Sequence, residues 1–390
     1  MSDTDALRAW LTLLRTPGLG AATLRERLAT EAGDIRAVLA GWRRAPAGLD
    51  QSARAWLAHP DTVRLDADLA WLALPDHRLL CCTDADFPPP LEHIPQPPAA
   101  LFVAGDTGLL LRPQVAIVGA RGATAGGLAH ARRFASTLAQ AGFVITSGMA
   151  DGVDGAAHAA ALEAGAPTIA VVGTGPDRVY PRKHQALAQA IAARGALVSE
   201  FPPGTAPRAD HFPRRNRLIA GLSLGTLVIE AGLKSGSLIT ARLAGEQGRE
   251  VFALPGSVHN PLARGCHRLI REGVRLVEEP AELIEALAPA ARALGVELAH
   301  RLALAGDDPA PRTPTAVAAA FLGNAAAFGG GRDDPDYRRL DQALGHDPAT
   351  LDELASRTGL APAALSSMLL MLELDGRVES LPGNRYQCVP

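Results

Sequence analysis

A doubly wound parallel α/β sheet, preceded by a helical domain and followed by a winged helix-turn-helix, is the architecture this 390-residue sequence predicts. Three observations lead there. Between Gln114 and about Leu287, short apolar runs alternate with helix-length segments, the pattern of parallel strands joined by right-handed crossovers. Before Pro75 the apolar residues recur at helical spacing instead. After residue 333, three helical segments precede two short β-rich runs. The expected boundaries are 1–75, 76–288, an Ala/Pro/Gly-rich linker over 289–332, and 333–390.

In the first domain, Leu7, Leu11 and Leu14 share a helical face beside Trp10, and Thr16-Pro-Gly-Leu-Gly20 interrupts before Ala21–Ala29 resumes. A glycine turn between two short helices is compatible with a helix-hairpin-helix, whose amides approach phosphate, and equally with an ordinary connector. Nine arginines against nine acids up to Pro75 argue against strong nucleic-acid contact there. Next come two β-rich runs, RLLCC (78–82) and ALFVAGD (100–106), expected to extend the edge of the sheet. Between them lies FPPPLEHIPQPP (87–98), where proline is expected to bar helix and central strand.

Sheet strands are expected near 115–118, 143–146, 168–172, 196–199, 226–229, 251–254 and 274–277, each followed by a helix. The segment from about Pro289 to Asp333 reads as a linker with at most one helix. The last domain predicts a helix over Tyr337–Leu344, a second opening with the capping box Thr350-Leu-Asp-Glu353 and ending before Gly359, and a third over Ala361–Leu374. Strands at Arg377–Ser380 and Arg385–Val389 complete it.

Charge is distributed unevenly. The net charge is −3, yet Arg178 to Arg217 contains eight Arg/Lys against Glu200 and Asp210. From Asp333 onward five arginines face ten acids. A basic centre between neutral and acidic ends is the footprint of a local polyanion site. Cys81, Cys82, Cys266 and Cys388 have neither zinc spacing nor a disulfide framework, so reduced thiols are expected. MSDTDALRAW lacks signal-peptide order and no run of about 18 apolar residues occurs, so a cytoplasmic protein without membrane contact is expected.

The motifs follow the strands. Gly119-Ala-Arg121 leaves the first parallel strand, where a dinucleotide fold would carry G-x-G-x-x-G and an acid about 20 residues on. Neither is present, and a cation beside a helix start suits a phosphodiester better. Ser147-Gly148 and Gly152-Val-Asp-Gly155 open the next helix; Gly173-Thr-Gly175 and Ser235-Gly236-Ser237 repeat the chemistry of close backbone approach and hydroxyl donors. Tight turns alone would also account for these glycines. Phe212-Pro-Arg214-Arg215-Asn216-Arg217 brings three guanidiniums and an amide, Arg214 and Arg217 being expected on one helix side. Arg182-Lys183-His184 adds charge from the neighbouring crossover, and Tyr180 or Phe212 is placed to stack a base or to pack in the core. Asp154 and His158, four residues apart, lack a third metal ligand. Gly221-Leu-Ser223-Leu-Gly225 matches an esterase pattern with helix and strand in the wrong order, so it reads as a turn.

Taken together, GAR, SGMADGVDGAAH, GTGPDRVYP, SEFPPG, FPRRNRLIAGLS, EAGLKSGSLITA, GREVFALPG and RGCHRLIREG resemble the bacterial DNA-processing protein A (DprA/Smf) family over roughly residues 78–288. The resemblance implies an extended Rossmann-like sheet, a helix-hairpin-helix/SAM-like domain before it and a winged helix after it. It implies single-stranded DNA binding, homodimers, loading of a RecA-type recombinase in natural transformation, no cofactor and no catalysis. It places DNA contacts on Gly119, Arg121, Ser147, Gly148, Lys183, Arg214, Arg215, Asn216, Arg217, Gly236 and Ser237, and a dimer interface near Leu269 and Ile270. His184 and His267 stand where the family usually has Asn. The other reading is an enzyme: Gly225-Thr226 with Glu230 is similar to the P-G-G-x-G-T-x-x-E motif of nucleoside-monophosphate phosphoribohydrolases, with one residue too many before the glutamate. The third helix of the last domain has no basic residue before Arg377, which fits a protein-binding role better than DNA reading.

Overall fold

A computed structural model describes residues 3–46 and 48–304 and, farther on, 339–340, 343–344, 349–360, 365, 368–369, 372, 378–381 and 385–388. The chain divides into two compact units, 1–310 and 311–390.

The first unit opens with five helices, α1 (Asp3–Leu14), α2 (Ala21–Thr30), α3 (Ile35–Arg44), α4 (Gln51–Ala58) and α5 (Thr62–Leu72). Three of them start at aspartates whose side chains accept from the opening amides: Asp34 from Arg36 and Ala37, Asp50 from Ala53, Asp61 from Arg64. Each such cap contributes about 1 kcal/mol. On α3 the buried set Ile35, Val38, Leu39 and Trp42 forms one face of a helix. These helices share their core with Leu79, Cys81, Ala100 and Phe102 of the adjoining strands. Arg15 ties them down, bonding both oxygens of the buried Asp68 and the carbonyl of Pro203.

Nine strands form one sheet: β1 (His77–Cys81), β2 (Ala100–Gly105), β3 (Gln114–Gly119), β4 (Val144–Ser147), β5 (Thr168–Val171), β6 (Ala196–Ser199), β7 (Gly225–Ile229), β8 (Glu250–Ala253) and β9 (Arg275–Leu276). Their order is β1-β2-β6-β5-β4-β3-β7-β8-β9. The seven from β3 to β9 are parallel, while β1 and β2 add an antiparallel edge, as the two β-rich runs predicted. Side chains alternate between faces. Val115 and Ile117 pack in one cluster with Phe134, Ala157 and Leu287; Ala116 and Val118 pack in another with Leu218, Leu222 and Leu101. Burial on both faces is why these strands read as continuous apolar runs.

The crossovers are α7 (Ala125–Gln140), α8 (Val153–Glu163), α9 (Gln185–Arg194), α10 (His211–Leu222), α11 (Gly236–Glu246) and α12 (Arg264–Arg271), with α6 (Pro89–Glu92) earlier and α13 (Pro280–Leu304) after β9. Two expectations need correction. The proline-rich loop does contain helix, the single turn α6, because its prolines sit in the first turn, where a missing N–H costs nothing. The linker expected from 289 instead continues α13 to Leu304, with Pro289 inside the helix. Leu283, Leu287, Ala291 and Leu294 explain it: they make one buried stripe against the sheet, and that packing outweighs the lost hydrogen bond. Residues 305–332 of that segment lie outside the described ones.

In the second unit, residues 339–340 and 343–344 are helical, as are 365, 368–369 and 372. Between them α14 (Leu351–Thr358) begins with the capping box formed by Thr350 and Glu353 and ends at Gly359 in the left-handed conformation. β11 (Val378–Leu381) and β12 (Arg385–Cys388) pair antiparallel, and β10 (Ala349–Thr350), absent from the sequence reading, adds to β12. Leu340, Leu344, Leu354, Leu365, Leu369 and Val378 form their common core. Among the described residues no helix is long and apolar enough to cross a membrane.

Candidate nucleic-acid interface

From β3 the chain steps one way through β4, β5 and β6, then returns to the other side of β3 to lay down β7, β8 and β9. That reversal makes a crevice at the carboxyl ends of β3 and its neighbours, the place where open α/β sheets bind ligands. A cavity of about 350 Å³ lies there, lined by Arg121, Ala123, Leu128, Arg132, Asp151, Gly152, Gly155, Ala156, Lys183 and His184.

Two close approaches build it. Gly152, with φ +76, brings the turn after β4 against the turn after β3; a Cβ would collide with the Ala120 carbonyl, and Val153 N–H donates to that oxygen at 3.2 Å. From the next crossover, Lys183 Nζ lies 2.9 Å and His184 Nε2 3.3 Å from one oxygen of Asp151. His184 is anchored through Nδ1 to the carbonyl of Met149 at 3.0 Å. Lys183 is two-thirds exposed and Arg121 is exposed, so both cations are open to solvent. Arg132 contributes a third cation from α7 while pairing with Glu163 at 3.1 Å. Arg121 and Lys183 are therefore brought together as expected; Arg132 and Asp151 were not singled out, although Asp151 lies within the SGMADG loop.

The remaining arginine run divides. Arg214 is half exposed, beside Glu200 at 3.3 Å and over the ring of Phe201. Arg217, expected on the same side, is buried: it bonds Glu200 at 2.5 Å and the carbonyls of Gln96 and Arg214. Arg215 is buried too, donating to the carbonyls of Gly148 and Val171 and to Asn216 Oδ1. Burial lowers its pKa to about 10, against the pull of Asp154. Burial likewise pushes the Asp154 carboxyl up, opposed by Arg215 and by the amides of Ala150 and Gly148. Arg215 and Arg217 are interior struts, buried and bonded to backbone carbonyls and Glu200, whereas the expectation puts phosphate contact on the whole run.

Ser147 and Gly148 are corrected in the same way. Ser147 is fully buried and its hydroxyl donates to the Ile117 carbonyl at 2.6 Å. Gly148 N–H donates to Asp154 at 3.1 Å, and a Cβ there would strike the Arg215 guanidinium at 2.7 Å. Gly119 is a packing glycine, since a Cβ would collide with the Ile229 carbonyl of β7. Gly236 differs: it is exposed at the start of α11 with open space before it, and Asn216 Nδ2 reaches its carbonyl at 3.5 Å. Ser237 is buried, its hydroxyl bonded to that of Ser235 at 2.7 Å.

Leu269 packs in the core cluster and Ile270 packs partly buried against it. Tyr180 keeps a half-exposed ring in contact with Phe212. Ser223 lies in the turn between α10 and β7 with its hydroxyl bonded to the Ile219 carbonyl, not on a nucleophile elbow. Glu230, the glutamate of the enzyme reading, bonds Thr124 and Asn260. Among the described residues no cluster of three His, Cys, Asp or Glu could hold a metal.

The family model described as DNA recombination-mediator protein A matches residues 78–288, and the DprA winged helix domain matches 309–384. Protein Smf of Escherichia coli strain K12 is 41% identical over 324 residues, 82% of this chain and 79% of that protein. DNA processing protein DprA of Streptococcus pneumoniae is 46% identical over 50% of this chain and 68% of its own. The X-ray structure of S. pneumoniae DprA superposes with a TM-score of 0.63 at 34% identity, covering 71% of this chain and 97% of that one. Helicobacter pylori DNA processing protein A, described for its single-stranded DNA binding mode, superposes with a TM-score of 0.50 at 32% identity, covering 55% and 97%. On sheet, winged helix and sequence alike, the chain belongs to the DNA recombination-mediator protein A (DprA/Smf) family.

Proposed function

We propose that this chain binds single-stranded DNA without catalysing a reaction on it, and hands the strand to a RecA-type recombinase. The observation that carries the reading is the cavity at the switch point, where Arg121, Lys183 and Arg132 outnumber Asp151 and the Glu163 that pairs with Arg132. Such a site holds phosphodiester by charge, without reading bases, and its affinity falls with salt. The half-exposed ring of Tyr180, three residues before Lys183, is available to stack a base. Arg214 and Gly236 extend the same edge. A homodimer would set two cavities on one strand and raise avidity through effective concentration. With Leu269 in the core, its surface is better sought at the exposed edge strand β9.

The test is fluorescence anisotropy of a labelled single strand of about 30 nucleotides, with duplex of the same sequence and AMP as competitors. Binding that neither competitor displaces at equal nucleotide concentration supports the proposal. Displacement by AMP would move the assignment to a mononucleotide site and to the enzyme reading.

A further inference from the structure

β7 runs into a strained residue. Glu230 has φ +51, a conformation that a long side chain keeps only where its surroundings hold it. Its carboxylate supplies the hold. One oxygen accepts from Thr124 N–H at 2.7 Å; the other accepts from the Thr124 hydroxyl at 2.5 Å and from Asn260 Nδ2 at 3.0 Å. The Thr124 hydroxyl in turn accepts from Gly127 N–H at 3.1 Å. This is a capping box for α7 whose glutamate comes from the neighbouring strand. The helix position that normally carries that glutamate is Gly127, where a Cβ would lie 2.5 Å from the Glu230 carboxylate.

α7 is the first helix after the switch-point strand, and its N-terminus is where sheets of this topology hold a ligand phosphate. Here three donors already converge on one anion, and the chain provides that anion itself. We propose that Glu230 is a specificity-determining residue. Its carboxylate fills the phosphate position at the start of α7, refuses free phosphate and mononucleotides there, and leaves phosphodiester the Arg121–Lys183 cavity. By gripping Thr124 it also positions the turn 120–124 that carries Arg121. The refusal of free phosphate stands apart from the proposed function; what concerns the Arg121–Lys183 cavity rests on it.

Glu230→Gly and Glu230→Asn remove the carboxylate and suit a positive φ, while Glu230→Gln keeps the side chain's volume. Binding of inorganic phosphate is read by equilibrium dialysis, and single-strand affinity by anisotropy. The Gly and Asn proteins should bind phosphate at least about tenfold more tightly than wild type, and the single strand several-fold more weakly. The Gln protein should show no gain in phosphate. Folded Gly or Asn proteins with wild-type phosphate binding would overturn the proposal. A further arm keeps Glu230 and silences the neighbouring cavity: in Arg121→Ala/Lys183→Ala, inorganic phosphate up to about 10 mM should leave the Thr124 amide resonance unmoved, and a saturating shift would refute the proposal. If wild type failed to bind single strands, the proposed function would fall while the phosphate arms still judged Glu230.

Discussion

Arg215→Ala separates an interior arginine from a ligand-binding one. The guanidinium is buried, donates to two carbonyls and offsets the buried carboxylate of Asp154. Removing it leaves two buried carbonyls without this donor and the carboxylate without its attraction, a loss of about 3–5 kcal/mol. In a unit of this size each kcal/mol lowers Tm by about 2–3 °C, so the variant should melt roughly 6–15 °C below wild type. The deficit should shrink toward acid pH. The folded pKa of Asp154 is already raised, and without Arg215 it rises further, so protonation relieves the unpaired charge. Arg214→Ala is the control: its guanidinium is half exposed and Glu200 keeps Arg217, so its cost should stay within about 1 kcal/mol. Scanning calorimetry at pH 7 and pH 5 reads both. An Arg215→Ala protein that melted like wild type yet lost single-strand binding would refute the interior assignment.

Other outcomes follow from the same geometry. His158 is fully buried, with Nδ1 bonded to Thr168 and Nε2 without a partner among the described residues; burial first, then the charges of His184 and Arg215, bring its pKa from 6.5 down to about 3. A depressed pKa contributes stability that is complete above pH 6.5 and lost as pH falls toward 3, about 5 kcal/mol in all. Urea unfolding of His158→Gln should show a flatter acid limb than wild type; parallel limbs would contradict the shift. Gly119→Ala should fail to yield soluble protein or melt far lower, because its methyl meets the β7 backbone; an unaltered Tm would show that the strands can part. Deleting residues 333–390 should leave single-strand affinity within about threefold in anisotropy, since the cavity lies wholly in the first unit; a tenfold loss would assign DNA contact to the winged helix.

The sheet was legible because parallel strands buried on both faces must be apolar throughout, and each predicted strand lies within two residues of its observed bounds. The turn carrying Arg121 and the crossover carrying Lys183 were legible for the same reason: strand ends fix the edge on which loops emerge. The inward turn of Arg215 and Arg217 was not. Their partners, Gly148, Val171, Gln96 and Glu200, come from elements far along the chain, and no local pattern reveals that a polar run is neutralised inside. Ser147 was misread because a hydroxyl at a strand end looks alike whether it faces a ligand or a neighbouring carbonyl. Pro289 disguised α13, since composition weighed more than the buried stripe running past it.

Under the proposed function, Arg121 and Lys183 hold DNA phosphate in the switch-point cavity. Single-strand affinity measured against salt for wild type and Arg121→Ala/Lys183→Ala tests it most directly. Each lost phosphate contact should flatten the slope of log K against log salt by about 0.7, so the double variant should lose about 1.4 together with most of its low-salt affinity. An unchanged slope at wild-type affinity would place the DNA elsewhere on this protein.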